Sequence, residues 1–434
     1  MGRPRKNNSL DISVSSGKKA KGLEGLGGII AETDPLWDLI LTRLARISRV
    51  YGFKPVETPL LEEHQLYQNV YRTAPQKLER LLTLDTPVKP AVVRESLLPS
   101  VLRVYSENKV YEQKPMSKWQ FQGFTARAEM GTKALVGDYN FGFEIFGTFN
   151  HLSEAQTIGA VWQLVLSLGL SEAVIEINNI GNAECQRVYG ESLADFLSAR
   201  KYDLCDSCNE HLVGRPINVF RCRNLGCQAV VSEAPTILDF LDEISHKQFT
   251  NILEALDELG IPYQLNPSYV GPEYHSKTNF VIKHKLKGQT VVLGEGGYHD
   301  DLMDAVCHKN FCCFGFSGSL SVLYEILKSQ GLEVEDARRN DVFLVPLGEL
   351  AAKRALRLFK DLTNEKISVY DHFGEGGVKN QLKQAQDTKT PVALIMGQKE
   401  AMDEMVILRD VKSGMQEIIS YDKIIEEVKK RLGR

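Results

Sequence analysis

The sequence predicts an α+β protein, an antiparallel sheet flanked by helices and followed by a small α/β domain. Three observations predict it. Between Trp119 and Gly147 the pattern is strand, polar loop, strand, with alternating Phe141, Phe143 and Ile145 leading to Gly147. Beyond Asn340 strands and helices alternate, which implies a small, mostly parallel sheet. The length, 434 residues with 43% hydrophobic and 25% charged, suits two to three domains with ample core in an ordinary globular chain.

Composition excludes some classes. No apolar run approaches the roughly 18 residues a membrane span needs, and the N-terminus has no hydrophobic signal core. A cytoplasmic protein is expected. A net charge of −4 gives no global attraction to nucleic acid, so RNA binding must rest on local patches. Eight cysteines without a signal peptide point to thiols or a metal rather than to disulfides. Residues 1–21 carry Arg3, Arg5, Lys6, Lys18, Lys19 and Lys21 against Asp11 and too little apolar surface to order themselves. They read as a disordered basic tail, either solvated or adding phosphate contacts.

From Asp34 to Val50, Leu36, Leu39, Ile40, Leu44, Ile47 and Val50 recur at helical spacing after an Asp that can cap; Tyr51-Gly52-Phe53 stops the helix and a strand ends at Glu57-Thr58-Pro59. In the hairpin, Arg127 offers a planar, bidentate guanidinium suited to an adenine face and a phosphate oxygen, and Glu129 can orient it. An Arg–Glu cross-strand pair on a solvated face would use the same residues. His151 to Leu170 reads as a helix, Val174 to Ile177 as a strand and Phe249 to Leu259 as a helix. In between, Cys205-x-x-Cys208 and Cys222-x-x-x-x-Cys227 are separated by 13 residues. Two thiolate pairs at this spacing can converge on tetrahedral Zn²⁺; unbound thiols and a redox pair are the alternatives, and His211 is another possible ligand.

After a hinge at Arg338-Arg339-Asn340 come strands at Val342 to Leu347, Ile367 to Tyr370 and Val392 to Met396, with helices at Leu350 to Leu362 and Val378 to Ala385. Met405 to Asp410 and Glu417 to Ser420 add sheet edge before a helix from Tyr421 to Leu432. Residues 340–434 hold 16 Lys and Arg against 15 Asp and Glu. Lys379, Lys383, Arg409 and Lys412 are its candidate RNA-phosphate contacts, although solvated surface charges need no function.

GFTARAE resembles the G-P-x-F-R-x-E opening of motif 2 in class II histidyl-tRNA synthetases, and NFGFEIFG resembles its Q-x-G-x-E-x-F-G close. The resemblance implies a class II synthetase-like antiparallel sheet, with Arg127 as the catalytic, ATP-binding arginine and Glu144 as the histidine-binding carboxylate. The family Gln falls on Asn140, and the loop from Met130 to Asp138 has the single cation Lys133. The helix, Y-G-F, strand and T-P run is similar to motif 1, which implies a homodimer. AVVRESLLPSVLRVY keeps Arg94, Arg103 and Tyr105 in register, but the family's Glu and Thr fall on Ser96 and Leu98. NPSYVGPEYHSKTNFV keeps Gly271, Tyr274, Thr278 and Phe280; the catalytic Arg falls on Val270, the Asp on Glu273 and the second Tyr on His275. Gly296 to Asp300 resembles G-G-R-Y-D with Tyr298 for Arg, and the motif 3 Glu and Arg fall on Ser321 and Val322. Residues Arg94, Glu129, Asn140, Glu144, Glu273 and Tyr274 are thus expected to bind substrate.

The implied layout is a core over 22–335, a zinc-ribbon-like insertion at about 200–232, and an anticodon-binding-like α/β domain over 340–434. Activation is in-line attack of a carboxylate on an α-phosphate, and positioned cations supply much of the transition-state stabilisation. Each is worth on the order of 10² in rate. Two of three expected arginines are absent here. The expectation is a synthetase-like tRNA-binding protein whose ATP/Mg²⁺-dependent histidine activation is lost or impaired. The alternatives are a working ligase with an atypical site, and a histidine-binding regulatory subunit like that of short-form ATP phosphoribosyltransferase, with a protein partner.

Overall fold

The structure, a computed structural model, describes residues 23–26, 35–72, 74–132, 134–309, 311–332, 340–371 and 377–434. The tail over 1–21, Lys133 and the hinge residues Arg338 and Arg339 lie outside the described residues. Two compact units divide the chain, Met1–Leu332 and Glu333–Arg434.

The first unit is organised on an eight-stranded sheet. In spatial order its strands are Lys54–Val56, Met116–Ala128, Leu135–Gly147, Cys313–Ser319, Gln289–Tyr298, Ser276–Leu286, Val174–Asn179 and Gln264–Leu265. The outermost pairing at each end is parallel and the others are antiparallel. The hairpin pairs without a break from Met116 opposite Gly147 to Ala128 opposite Leu135, because its alternating aromatics hold one face in the core and fix the register. The Pro35–Val50 helix buries Leu36, Ile40 and Leu44, the 3.6-residue stripe its sequence shows. The His151–Ser167 helix starts at Asn150, whose side chain accepts from the backbone N–H of Leu152 and Ser153.

Three expectations need correction. The helix expected from Phe249 to Leu259 spans Glu243–Glu258, because Asp242 caps it by accepting from the backbone N–H of Ser245. The strand beginning at Val174 runs on to Asn179, because buried Asn178 and Asn179 bond loop and strand groups: Asn178 Nδ2 donates to the carbonyls of Pro267 and Tyr269, and Asn179 Nδ2 to Thr278 Oγ1. The cysteine-bearing insertion is not a β ribbon. Its elements are the helices Asp206–His211 and Leu225–Val231 and the 3₁₀ turns Lys201–Asp203 and Pro216–Arg221.

In the second unit, Val342–Pro346 pairs parallel with both Val369–Asp371 and Val392–Met396, while Met405–Asp410 and Gln416–Ser420 extend the sheet antiparallel. The parallel part is therefore the centre and one side only. Glu349–Asn364 and Ile424–Arg431 bury Leu358, Leu362, Ile424 and Val428 against Val342, Leu344, Leu394 and Leu408.

Candidate functional site

The site begins with a carboxylate in the middle of the large sheet. Glu144 lies opposite Gly315 on the neighbouring strand, where a Cβ would stand 2.0 Å from Glu144 Oε2; only a glycine leaves room. Glu144 is fully buried, and that burial raises its pKa against the opposing pull of His299. Its Oε1 is 3.0 Å from His299 Nδ1, and His299 Nε2 is 3.1 Å from His275 Nε2. Burial, then the neighbouring His299 and Arg221, hold the His275 pKa well below the usual imidazole value, so that ring is neutral near pH 7. The result is a carboxylate–imidazole–imidazole chain that can pass a proton along two hydrogen bonds. Glu144 Oε2 and His275 Nδ1 are buried with no hydrogen-bond partner among the described residues. Such orphans in a polar site are places for water or a ligand.

Tyr274 stands with its ring 5.2 Å from that of His275 and 5.9 Å from that of His299. Beside the chain, Tyr298 Oη donates to Glu154 Oε1 at 2.5 Å, and burial lifts the Glu154 carboxyl to about 7. Tyr269 Oη donates to Glu295 Oε2 at 3.2 Å. Sequence reasoning assigned no role to His299, and registered His275 only as a replaced tyrosine. The available signal was that two adjacent motifs both carry histidine where a tyrosine is expected.

The other predicted residues are distributed unevenly. Arg94 does not face open space: Nε donates to Phe124 O at 2.9 Å, and Nη1 to Thr58 O, Thr58 Oγ1 and Pro59 O at 2.7, 2.8 and 3.1 Å. Its geometry is that of a scaffold residue. Arg127 is half-buried and its side chain has no hydrogen bond or ion pair among the described residues; Glu129 is exposed and accepts only from Thr132. The cross-strand Arg–Glu pair is thus not formed. Asn140 Nδ2 donates to Thr125 Oγ1 at 2.7 Å. Glu273 pairs with Lys77 at 3.2 Å, and together with Tyr274, Tyr71, Arg215 and Asp301 they line a cavity of about 80 Å³. Val270 is buried at 3% exposure in an apolar cluster. Ser321 Oγ accepts from Tyr139 N at 3.2 Å, and the N–H of Val322 is capped by Ser319.

The four cysteines converge. Their sulfurs all lie within 4.8 Å of one another. Backbone N–H groups point at two of them, Cys205 N at Cys227 Sγ (3.3 Å) and Asn224 N at Cys222 Sγ (3.4 Å). The backbone N–H of Cys208 is the main reason the Cys205 thiol falls to about 7. Burial pushes the Cys208 and Cys227 thiols the other way, but four sulfurs gathered this closely are a donor set that suits a zinc ion. Arg221, which precedes Cys222, turns away and bonds the loop at 270–272; burial lowers its pKa to about 10. No sequence pattern marks it, since its partners are backbone carbonyls some 50 residues away.

In the second unit Lys379 and Lys383 are exposed one turn apart on Val378–Asp387. At the end of that helix Gln386, Lys389 and Lys412 line a groove of about 550 Å³. Arg409 points from the neighbouring strand and reaches Gln416 at 3.5 Å.

Residues 341–431 match the anticodon binding domain family. The histidine–tRNA ligase of Halothermothrix orenii is 28% identical over 415 residues, covering 94% of this chain and 99% of that protein. The chain is similar to histidine–tRNA ligases over most of its length. The fold agrees: apo histidyl-tRNA synthetase of S. aureus superposes with a TM-score of 0.78 at 23% identity, covering 95% of this chain and all of that one. A protein described as an ATP phosphoribosyltransferase regulatory subunit/histidyl-tRNA synthetase, from Bacillus halodurans C, gives 0.61 at 17% identity, covering 87% and 98%. The chain has the mixed, largely antiparallel core fold and the C-terminal anticodon-binding-family domain that its sequence predicts. Among its described residues no helix is long and apolar enough to cross a membrane.

Proposed function

We propose that this chain binds tRNA while its ATP-dependent activation of histidine is lost or impaired. The observation that carries the reading is a carboxylate already engaged through Oε1, with only Oε2 left for a ligand. Glu144, which the resemblance assigns to histidine, already holds the His299 imidazole at 3.0 Å, with His275 behind it. The absent cations point the same way: Val270 is embedded in an apolar cluster and Val322 lies in the first turn of a helix. Arg127, with Glu129 beside it, remains as an ATP contact, and Mg²⁺ would accompany the nucleotide. One arginine without its two partners forfeits roughly 10⁴ in rate.

The anticodon-binding match and the exposed Lys379 and Lys383 support tRNA as the partner. Zinc on the four cysteines is the structural cofactor of the reading. Pairing of two copies through the Pro35–Val50 helix gives a cytoplasmic homodimer. Histidine-dependent pyrophosphate exchange should run near background. A robust rate abolished by Arg127→Ala would restore the working ligase.

A second reading, a regulatory subunit that binds histidine and a partner enzyme, is favoured by the same missing cations and by the likeness to the Bacillus halodurans protein. Competition separates the two. Histidine tRNA should displace bound RNA better than an unrelated tRNA, and equal displacement or no binding turns the choice to the regulatory subunit. For the metal, about one zinc per chain is expected, and Cys222→Ser should lower both zinc content and melting temperature. Metal-free protein that melts at the same temperature would leave ordinary thiols.

A further inference from the structure

We infer that the four-cysteine cluster supports the histidine chain from behind, and that Arg221 is the positioning residue that connects them. The inference builds on the metal reading of the cluster. It adds a purpose for that site: holding the loop that sets His275.

Two ties join the insertion to that loop. The first is polar. Arg221 donates from Nε to Gly271 O at 2.7 Å and from Nη2 to Pro272 O at 3.2 Å and Val270 O at 3.3 Å, while Nη1 bonds Asn218. One guanidinium therefore satisfies three consecutive carbonyls of a segment that lies in neither helix nor strand. It makes no ion pair among the described residues; Nε and Nη2 are committed to backbone carbonyls and Nη1 to the Asn218 side chain. The second tie is apolar. Val270 packs in one cluster with Cys208, Cys227, Ile217 and Val219. The position that carries a cation in the resemblance carries here a side chain that plugs the loop into the insertion.

The loop in turn bears on His275. Gly271 has φ +58°, and a Cβ there would stand 2.6 Å from His275 Nδ1; His275 N also donates to Pro272 O at 3.0 Å. Any shift of residues 270–272 moves this ring, and through its 3.1 Å contact the His299 ring on Glu144. At the other end, Arg221 and Cys222 are consecutive at the close of the Pro216–Arg221 turn. The insertion has no strand to hold that turn, so ligation of Cys222 would fix its backbone, and metal binding in so small a unit is itself folding free energy.

The test uses full-length protein with ¹⁵N-labelled histidine, its His275 and His299 ring signals assigned by their loss in His275→Gln and His299→Gln. Zinc content is measured separately, so failure of the metal reading is seen independently of failure of the tether. Arg221→Met should keep the zinc content of the parent protein yet shift both ring signals at one fixed pH. Chelator-stripped parent protein should show the same shifts, and stripping Arg221→Met should add little. Arg221→Lys, which keeps the stem and the charge but not the fork, should fall between parent and Arg221→Met, and it serves alone if Arg221→Met does not fold. Unmoved ring signals in a folded Arg221 variant overturn the inference. So does a metal-removal shift as large in the variant as in the parent.

Discussion

The pocket face of the large sheet and the core of the C-terminal unit are both built from buried strands, yet they are filled by different rules. In the C-terminal sheet the inward residues are Val342, Leu344, Val392, Leu394, Val406 and Leu408, and apolar packing accounts for their stability. Around the pocket the buried set includes Glu144, His275, Ser276, Asn279, His299 and Ser317 Oγ. Glu144 Oε2, His275 Nδ1, Ser276 Oγ, Asn279 Oδ1 and Ser317 Oγ have no partner among the described residues. Each unsatisfied buried group costs about 1–3 kcal/mol. A region that tolerates several is specified by what it binds. The other is specified by how it packs.

Truncation in the packed region should give the largest effect. Leu394 is 1% exposed, and Leu394→Ala should lower stability by about 3 kcal/mol in denaturant unfolding while leaving the His275 and His299 ring signals unchanged. A loss under about 1 kcal/mol would erase the contrast. Next is the pH-dependent cost of a buried carboxyl against the opposite face of the large sheet, Glu154 beside Tyr298. The folded protein holds Glu154 at about 7 against an ordinary 4.5, so it keeps a proton that the unfolded chain releases. Stability from this group therefore falls as pH rises from about 4.5 to about 7, and the penalty is complete above that window. Glu154→Gln should flatten this fall and raise stability above the window by up to about 3 kcal/mol, read from melting temperature against pH. An unchanged profile would show that the Tyr298 hydrogen bond offsets the burial.

Surface charge should matter least for stability. Reversing Lys379 and Lys383 should change folding free energy by less than about 0.5 kcal/mol, yet weaken tRNA binding and reduce its salt slope by roughly one to two. Reversing Lys429 and Lys430 should matter less for RNA, because these already pair with Glu365 and Glu427.

What the sequence made legible follows the range of the interactions. The hairpin, the terminal α/β alternation and the two cysteine-pair spacings are local patterns, and the sulfurs do converge. Glu144 stands out in the sequence because its motif lies within one strand. The His299–His275 contact was not, since neither residue's own neighbourhood shows that their rings meet across two strands. Arg94 has the right identity for a ligand contact, but its donors meet carbonyls of Thr58, Pro59 and Phe124, which leave no mark in the chain. The insertion read as a ribbon because thiol spacing fixes ligand convergence and says nothing of the backbone between.

The order of strands in the large sheet also has a bearing on how the molecule is made. Cys313–Ser319 is the last of the eight in sequence but lies between Leu135–Gly147 and Gln289–Tyr298. Until that strand is synthesised the sheet can form only as two halves, each with an open edge, one of them thirteen residues long. Such edges are templates for pairing with other chains. Glu144 sits on one half and His299 just beyond the edge strand of the other, so the pocket first comes into being when residue 319 arrives. The C-terminal sheet, drawn from one contiguous stretch, has no such wait.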